Sequence, residues 1–287
     1  MDIESVGVVG AGTMGQGIAQ IFACAGFSVV LVDLSEATLK NAVGSMGGSL
    51  DRLVNKDKLT AVAKEGALAR ITTSTDYARL RTVDFVIEAA TENIDAKLRI
   101  LGKIGEAVRD DVVIASNTSS ISITRLAAAI SNPARLVGMH FFNPVPLLPL
   151  VEIVRGLQTG TQAVDVVRKL TAALGKTAIV VSSSPGFVVN RLLVPMINEA
   201  FCVLAEGVAV AEEIDAGMKL GANHPMGPLA LADVIGLDVC LAVMDVFHAD
   251  FGDPKYRASP LLREMVSAGF LGRKTGRGVY DYRPSHT

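Results

Sequence analysis

The chain has 287 residues, half of them hydrophobic, and its 27 basic and 29 acidic side chains leave a net charge of −2. This length suits two domains, and the balanced charge argues against a nucleic-acid partner. No apolar run approaches the roughly 18 residues that a membrane span requires, so we expect no membrane association. The three cysteines are too few and too widely spaced for a disulfide or zinc framework. We therefore predict buried, reduced thiols in a cytoplasmic protein without a metal site.

Short apolar runs alternate with amphipathic segments through the first two-thirds of the chain. The runs predict strands at Val6–Gly10, Ser28–Asp33, Ala69–Thr72, Asp84–Glu88, Val112–Ser116, Leu136–Met139, Val151–Val154 and Thr177–Val181. The segments between them predict helices at Met14–Ala25, Ser35–Val54, Glu92–Val108 and Thr161–Leu174. Runs of β-branched residues joined by helices are typical of a parallel sheet that is buried on both faces. We therefore predict an α/β fold, a Rossmann-like, doubly wound and mostly parallel sheet.

The strand pattern stops after the three serines at positions 182–184. Pro185 suits the first turn of a helix, and nearly everything from Phe187 to about Phe270 has helical spacing. We therefore predict a domain boundary that divides the chain into residues 1–184 and an all-helical domain of residues 185–287.

A glycine-rich segment, Gly10-Ala11-Gly12-Thr13-Met14-Gly15, follows the first strand and opens the first helix. The three glycines permit a tight turn, a close approach to a pyrophosphate and close packing of helix on strand, and the helix N-terminus offers N–H groups to the phosphates. Asp33 ends the second strand, where its carboxylate accepts hydrogen bonds from ribose hydroxyls and repels a 2′-phosphate. The segment predicts a dinucleotide site that favours NAD over NADP. The alternative is that these glycines only shape a turn.

Other polar residues lie where a doubly wound sheet places its cleft. Asn117 and Ser119 follow the fifth predicted strand, and His140 follows the sixth. Glu152 is a lone carboxylate in the apolar seventh strand, and Asn190 lies in the first helix of the second domain. Each has a structural alternative: a helix cap, a core histidine, an edge-strand carboxylate facing water, or the polar face of a helix. Their shared location favours a catalytic site.

Several motifs, in this order along nearly the whole chain, resemble the 3-hydroxyacyl-CoA dehydrogenase family and in particular its short-chain bacterial members. The motifs are Gly10–Gly15, Ile87–Asn93, Ser116–Ser120, His140–Pro146, Pro185–Arg191, His224–Leu229 and Gly272–Tyr280. The resemblance implies an oxidoreductase that transfers a hydride between NAD(H) and C3 of a short-chain 3-hydroxyacyl-CoA, such as 3-hydroxybutyryl-CoA, with acetoacetyl-CoA as its oxidised partner. It also implies a homodimer in which the helical domain forms the dimer contact and one wall of the substrate cleft.

The resemblance assigns a role to each polar residue in the cleft. His140 would accept the proton of the C3 hydroxyl, and Glu152 would bond the other ring nitrogen and stabilise the charged imidazole. A histidine suits this role because it exchanges protons near neutral pH. Asn190 resembles the residue that fixes the substrate oxygen, Ser119 the one that binds substrate near the nicotinamide, and Asn117 a further contact at the same strand end.

Further positions have weaker implications. Glu92 and Lys97 resemble residues that line the cofactor and cleft region, with a capped, solvated helix as the alternative. Arg52 and Lys56 are four residues apart on one predicted helical face, in the region that meets the phosphates of coenzyme A in the family; a solvated basic face is the alternative. Where relatives commonly carry a Met-Lys pair, this chain has Leu148-Pro149. That difference puts in doubt any contact of the lysine and the preference for acyl-chain length.

Three other functions are alternatives to a 3-hydroxyacyl-CoA dehydrogenase. A hydrolase built on Ser119, His140 and Glu152 conflicts with the lack of a Gly-x-Ser-x-Gly elbow. A β-hydroxyacid dehydrogenase for free acids would need a lysine where this chain has Asn190. An NAD(H)-binding structural or sensor protein without turnover would need neither His140 nor Glu152. The sequence does not indicate the physiological direction of the reaction, since both directions use the same site.

Overall fold

The computed structural model describes residues 3–283. The chain divides into two compact units, Met1–Ser184 and Pro185–Thr287. Among the described residues, no helix is both long enough and apolar enough to cross a membrane.

The first unit contains one sheet, which has eight strands within residues 3–283. They are β1 Ser5–Val9, β2 Ser28–Val32, β3 Ile71–Ser74, β4 Phe85–Glu88, β5 Val113–Ser116, β6 Leu136–Phe141, β7 Leu150–Arg155 and β8 Thr177–Ser182. Their order in the sheet is β3-β2-β1-β4-β5-β6-β7-β8. Strands β2 and β3 are added on one side of β1 and the later strands on the other side, as in doubly wound folds. Only the β6–β7 pair among them is antiparallel. The predicted Rossmann-like, mostly parallel α/β fold is confirmed.

Six α-helices accompany this sheet within the described residues. They are α1 Thr13–Cys24, α2 Glu36–Val54, α3 Ala61–Ala69, α4 Ile94–Ala107, α5 Ile123–Ala127 and α6 Thr161–Ala173. Ser35, Thr60 and Asn93 cap α2, α3 and α4, because each side chain accepts a hydrogen bond from an N–H group in the first turn. In contrast, the N-cap residue of α1 is Gly12, which has no side chain to cap the helix, so N–H groups at the N-terminus of α1 remain for a ligand.

The segment between α2 and β3 differs from its prediction. The strand predicted from Ala69 begins two residues later, because the chain first forms α3. Helix α2 ends at Val54, and Asp57 has a φ of 54°, in the left-handed region that interrupts a helix. Lys56 therefore lies in a turn, and the predicted helical face shared by Arg52 and Lys56 is wrong.

Burial within the sheet is uneven. Every residue of β4, β5 and β6 is buried, as expected for strands covered on both faces. The edge strands β3 and β8 are partly exposed along their length, so the prediction of full burial is wrong for them. A short connection, residues 142–149, joins β6 to β7 and leaves no room for a crossover helix, which explains their antiparallel pairing.

The second unit is helical, as predicted. Its helices within the described residues are α7 Val189–Ala205, α8 Ala211–Gly221, α9 Pro228–Ile235, α10 Leu237–Phe251 and α11 Pro260–Ser267. Pro185 does not open α7, because Gly186 and Phe187 adopt φ values of 71° and 51°, which no helix accommodates. Phe201 and Phe247 belong to the apolar core on which these helices pack.

Two buried carboxylates hold the C-terminal tail against α8 and α9. Asp215 accepts hydrogen bonds from the backbone N–H groups of residues 229 and 230 and from the Tyr280 hydroxyl, at 2.8, 2.9 and 2.8 Å. Asp233 accepts bonds from the N–H groups of residues 279 and 280, both at 2.9 Å, and from the Tyr282 hydroxyl at 3.0 Å. We call Asp215, Asp233, Tyr280 and Tyr282 the tail clasp. It connects the segment around residues 224–229 to the segment around residues 272–280.

The three cysteines are free and differ in exposure. Cys240 is buried, and burial raises the pKa of its thiol to about 12. Cys202 is half-buried and Cys24 is exposed, so the prediction of a buried thiol is wrong for Cys24.

Candidate active site

Most of the predicted site residues follow neighbouring strands of the sheet. Strands β1, β4 and β5 end in register at Val9, Glu88 and Ser116, and β6 follows beside β5. Because these strands are parallel, their carboxyl ends meet at one edge, where doubly wound folds bind ligands. The glycine turn follows β1, the Ser119 loop follows β5, and His140 lies near the end of β6.

The glycine turn has the shape that a dinucleotide diphosphate needs. A Cβ atom on Gly10 would lie 2.5 Å from the Cα atom of Ala90, and one on Gly15 would lie 1.8 Å from the Gly10 carbonyl oxygen. Larger side chains are thus excluded where the turn packs on the protein. A Cβ atom on Gly12 would meet nothing within 4 Å. Since the N-terminus of α1 is uncapped at this open position, the turn fits the diphosphate of NAD.

Asp33 connects the end of β2 to the glycine turn. Its Oδ2 atom accepts a hydrogen bond from the Ala11 N–H at 2.9 Å, and its Oδ1 atom accepts one from the Ser35 N–H at 3.1 Å. A carboxylate oxygen accepts more than one bond, so both oxygens retain capacity for ribose hydroxyls.

His140 and Glu152 form a buried pair across β6 and β7. They are directly opposite in the antiparallel register, which places their side chains on the same face of the sheet. His140 Nδ1 lies 2.7 Å from Glu152 Oε2, and the two residues are 5% and 0% exposed. The alternative of a Glu152 facing water on an edge strand is therefore wrong. The imidazole ring therefore presents Nδ1 to the carboxylate.

The loop after β5 is held in place by two other predicted site residues. Glu92 accepts hydrogen bonds from the Thr118 hydroxyl at 2.8 Å and from the Ser119 N–H at 2.9 Å. The Asn117 side-chain oxygen accepts a bond from the Phe141 N–H at 2.9 Å, next to His140. Glu92 and Asn117 thus fix the positions of Ser119 and His140 through contacts within the protein.

Lys97 lies in the interior, so the alternative of a solvated helix is wrong for it. Its side chain is 1% exposed and its Nζ atom lies 2.5 Å from Oε2 of Glu88, which is fully buried. The Ser116 hydroxyl donates a hydrogen bond to the same Glu88 oxygen at 2.8 Å. Neither Glu88 nor Ser116 was predicted from the sequence as a functional candidate. Glu88 ends an apolar strand as a lone carboxylate, the same signal that identified Glu152.

Arg52 contributes to a cavity between α1, α2 and the loop after β6. This cavity of about 230 Å³ is lined by Thr13 and Gln16 beside the glycine turn, by Arg52, and by Asn143 to Pro146. Lys56 does not line it. Asn143 adds a polar side chain to the cavity lining and was not predicted from the sequence as a site residue.

The loop that carries Leu148-Pro149 is anchored by a lysine from a different part of the chain. Lys176 Nζ donates hydrogen bonds to the carbonyl oxygens of Val145 and Leu148 at 2.7 and 2.6 Å. Partial burial lowers the pKa of Lys176. The Lys176 ammonium group thus fixes the conformation of the loop between β6 and β7, next to the cavity.

Asn190 belongs to the second unit and lies in the first turn of α7. The guanidinium of its neighbour Arg191 lies 3.7 Å from the ring centre of Phe251 and 4.8 Å from that of Tyr256. Cation–π contacts of this kind fix the first turn of α7 against the core of its own unit.

Comparison with known proteins gives matches along nearly the whole chain. Residues 5–184 match the family model for the NAD-binding domain of 3-hydroxyacyl-CoA dehydrogenase, and residues 186–282 match the model for its C-terminal domain. A 3-hydroxybutyryl-CoA dehydrogenase of Bradyrhizobium diazoefficiens is 51% identical over 281 residues, 98% of this chain and 96% of the relative. A probable 3-hydroxybutyryl-CoA dehydrogenase of Deinococcus radiodurans is 51% identical over 276 residues, 96% of this chain and 99% of the relative.

A solved structure is similar over the same extent. The crystal structure of (S)-3-hydroxybutyryl-CoA dehydrogenase from Ralstonia eutropha superposes with a TM-score of 0.96 and is 61% identical, covering 98% of this chain and 100% of that chain. The chain therefore belongs to the 3-hydroxyacyl-CoA dehydrogenase family, and its cofactor is NAD.

Proposed function

We propose that the protein interconverts 3-hydroxybutyryl-CoA and acetoacetyl-CoA with NAD(H) as its redox partner. The observation that carries this proposal is the buried His140–Glu152 pair near the carboxyl end of β6, at the edge of the sheet where the glycine turn also lies. A protein that only binds NAD(H) has no use for a buried histidine–carboxylate pair. The choice of a four-carbon acyl-CoA is supported by the names of the relatives in Bradyrhizobium diazoefficiens and Ralstonia eutropha.

His140 acts as the general base and acid in this proposal. NAD(H), when bound, takes up or supplies the hydride at C3 of the substrate. Nε2 of His140 accepts the proton of the C3 hydroxyl during oxidation and returns it during reduction. Glu152 accepts the hydrogen bond of Nδ1–H, which keeps the ring in the required tautomer and stabilises the imidazolium that forms.

The cofactor residues lie in the order in which an extended dinucleotide would cross the sheet. Asp33 receives the adenosine ribose and disfavours a 2′-phosphate, and the N-terminus of α1 receives the diphosphate. The proposed contacts of the diphosphate are Gly10, Gly12, Thr13, Met14 and Gly15. Glu92, Lys97 and Asn117 set the walls at the nicotinamide end.

Substrate binding is assigned to four residues. Ser119 and Asn190 hold the oxygen at C3, and Arg52 and Lys56 pair with the phosphates of coenzyme A. The cavity beside Arg52 supports this assignment, since it opens between the helix of the glycine turn and the loop that follows His140. Lys56, in a turn and outside the cavity lining, is assigned only to the outer phosphates.

Absorbance at 340 nm with acetoacetyl-CoA tests the proposal, with NADH and NADPH offered in separate reactions. We expect oxidation of NADH and a much lower kcat/KM with NADPH, because Asp33 repels the 2′-phosphate. Free acetoacetate is the matched control and should not be reduced. Failure to reduce acetoacetyl-CoA would contradict the proposed activity, and equal use of NADPH would contradict the role of Asp33.

The helical unit is the proposed dimer contact. Several large apolar side chains are exposed on its helices, among them Leu192 on α7 (71% exposed), Val234 on α9 (47%) and Val239 on α10 (44%). Exposed apolar surface of this kind is typical of subunit interfaces. Sedimentation should give twice the chain mass, and Leu192→Glu should shift the protein toward the monomer. A monomeric wild-type protein would contradict this assignment.

The free cysteines support a cytoplasmic location, which is also part of the proposal.

A further inference from the structure

The carboxylate of Glu88 connects three elements beneath the proposed cofactor site. Its Oε2 atom accepts hydrogen bonds from Lys97 Nζ on α4 at 2.5 Å and from the Ser116 hydroxyl at the end of β5 at 2.8 Å. Its Oε1 atom accepts a bond from the N–H of Ala90, just after β4, at 2.8 Å. Glu88 itself has no exposed surface. One buried charge therefore fixes the relative positions of β4, β5 and α4 at the edge where ligands bind.

Stability of the fold does not account for the Glu88–Lys97 pair. Burying both charges costs desolvation that their attraction rarely recovers, and apolar side chains of similar size are usually at least as stable in such positions. Lys97 also lies in the first turn of α4, where the helix dipole disfavours a positive charge. Ionised groups kept in the interior under these conditions are more typical of functional sites.

The pair lies between the glycine turn and the loop that follows β5. Gly10 packs so closely on Ala90 that an added Cβ atom would lie 2.5 Å from its Cα atom. The Ala90 N–H bonded to Glu88 thus belongs to the floor of the glycine turn. On the other side, Ser116 immediately precedes the loop that carries Asn117 and Ser119.

Glu88 is the main partner that sets the position of Lys97. An ammonium group has three N–H donors, and the described residues offer two acceptors, Glu88 Oε2 and, at 3.4 Å, the Ser116 hydroxyl. The side chain is 1% exposed, so Lys97 has almost no surface of its own to offer a ligand.

We infer that Glu88 is a positioning residue for NAD(H). It acts through Lys97, Ser116 and the Ala90 amide, which it holds together between the glycine turn and the Ser119 loop, and it does not touch the cofactor itself. This inference rests on the proposed function only in that NAD(H) is the molecule bound at this edge.

Fluorescence titration with NADH, without acyl-CoA, tests the inference alongside urea unfolding of the same proteins. Glu88→Gln should weaken NADH binding about tenfold, because the lost charge frees Lys97 from its position. The same variant should also be less stable, since it leaves the Lys97 charge buried without a counter-charge. The double variant Glu88→Gln with Lys97→Met buries no charge, so its stability should return toward that of the wild type. Its NADH affinity should remain well below that of the wild type.

The double variant distinguishes a role of Glu88 in positioning the cofactor from a role in stability alone. Recovery of NADH affinity together with stability would overturn the inference, as would unchanged affinity in a folded Glu88→Gln protein. If Glu88→Gln does not fold, the double variant decides by the same criterion. Asp111→Asn is the control: it breaks the exposed Arg109–Asp111 pair, 3.2 Å long, in the same unit and should change neither readout. A wild-type protein that binds NADH but does not reduce acetoacetyl-CoA would overturn the proposed substrate and leave this inference intact.

Discussion

Both units of the molecule bury carboxylates, but the partners of those carboxylates differ. In the first unit, Glu152 pairs with His140 and Glu88 pairs with Lys97, so each carboxylate faces a side chain that carries or accepts a proton. In the second unit, Asp215 and Asp233 are 6% and 1% exposed, and the tail clasp supplies them with backbone N–H groups and tyrosine hydroxyls.

This difference distinguishes carboxylates that act in catalysis or cofactor binding from carboxylates that support the fold. A carboxylate with three neutral donors has its hydrogen-bonding capacity met without a second buried charge, and its main effect is to join distant parts of the chain. A carboxylate that faces a buried cation or imidazole incurs a larger desolvation cost and in return controls a proton or a charge. We therefore expect substitutions in the first unit to change rates and affinities, and those in the tail clasp to change stability.

Among the variants of buried carboxylates, Glu152→Gln is expected to have the largest effect, and that effect is on the rate of catalysis. The amide has nearly the same size but no charge, so it no longer stabilises the imidazolium of His140. We expect kcat for acetoacetyl-CoA reduction to fall about 100-fold, with NADH affinity nearly unchanged. Steady-state kinetics at 340 nm measure the rate. A kcat within a factor of two of the wild type would remove the distinction between the two kinds of buried carboxylate.

Asp233→Asn should have the converse effect. Asparagine has one acceptor oxygen and one NH2 group in place of the two carboxylate oxygens. At least one backbone N–H group that now donates a hydrogen bond to Asp233 would therefore face another donor. The free energy of unfolding should fall by about 2 kcal/mol, measured by urea denaturation. Asp250→Asn, at an exposed position of α10, is the matched control and should stay within about 0.5 kcal/mol of the wild type. A loss of kcat in folded Asp233→Asn protein, without a loss of stability, would contradict the structural role.

The smallest expected effect concerns alkaline pH. The pKa of Tyr280 is raised above its ordinary value of 10.0, first by burial and then by the hydrogen bond to Asp215 and its negative charge. A higher pKa in the folded state means that folding favours the protonated phenol. The corresponding stabilisation is complete below about pH 10 and is lost as the pH rises further.

Tyr280→Phe tests this effect, since phenylalanine cannot ionise. Between about pH 8 and pH 11, the free energy of unfolding should decrease more for the wild type than for Tyr280→Phe. Urea denaturation at several pH values measures both profiles. Parallel profiles would show that Tyr280 does not contribute to the alkaline limit of the tail clasp.

Much of the first unit could be predicted because its signals are local. Every predicted strand is present within a few residues, since β-branched runs bounded by glycine and polar residues are strong strand signals. Helix α3 was missed because residues 61–69 contain few large apolar side chains to set a helical period. The antiparallel direction of β7 is invisible to hydrophobic periodicity, although the short connection after β6 already excludes a crossover helix.

The site residues that could be predicted are those that stand out in the sequence by themselves. Glu152 was identifiable as a lone carboxylate in an apolar strand, and the glycine turn has a fixed spacing. The burial of Lys97 depends on Glu88, which belongs to a different element, and no periodicity within α4 reveals it. The tail clasp is similar, because Asp233 and Tyr282 lie 49 positions apart and meet only after the helices pack. Polar pairs between residues that are far apart in the sequence are therefore visible only in the structure.

The rate of His140→Gln tests the central claim most directly. Glutamine preserves polarity and approximate size but cannot exchange a proton with the substrate. We predict that kcat for acetoacetyl-CoA reduction falls about 1000-fold or more, while the NADH dissociation constant from fluorescence titration stays within about twofold of the wild type. A His140→Gln protein that reduces acetoacetyl-CoA at the wild-type rate would contradict the assignment of His140 and Glu152 as the acid–base pair.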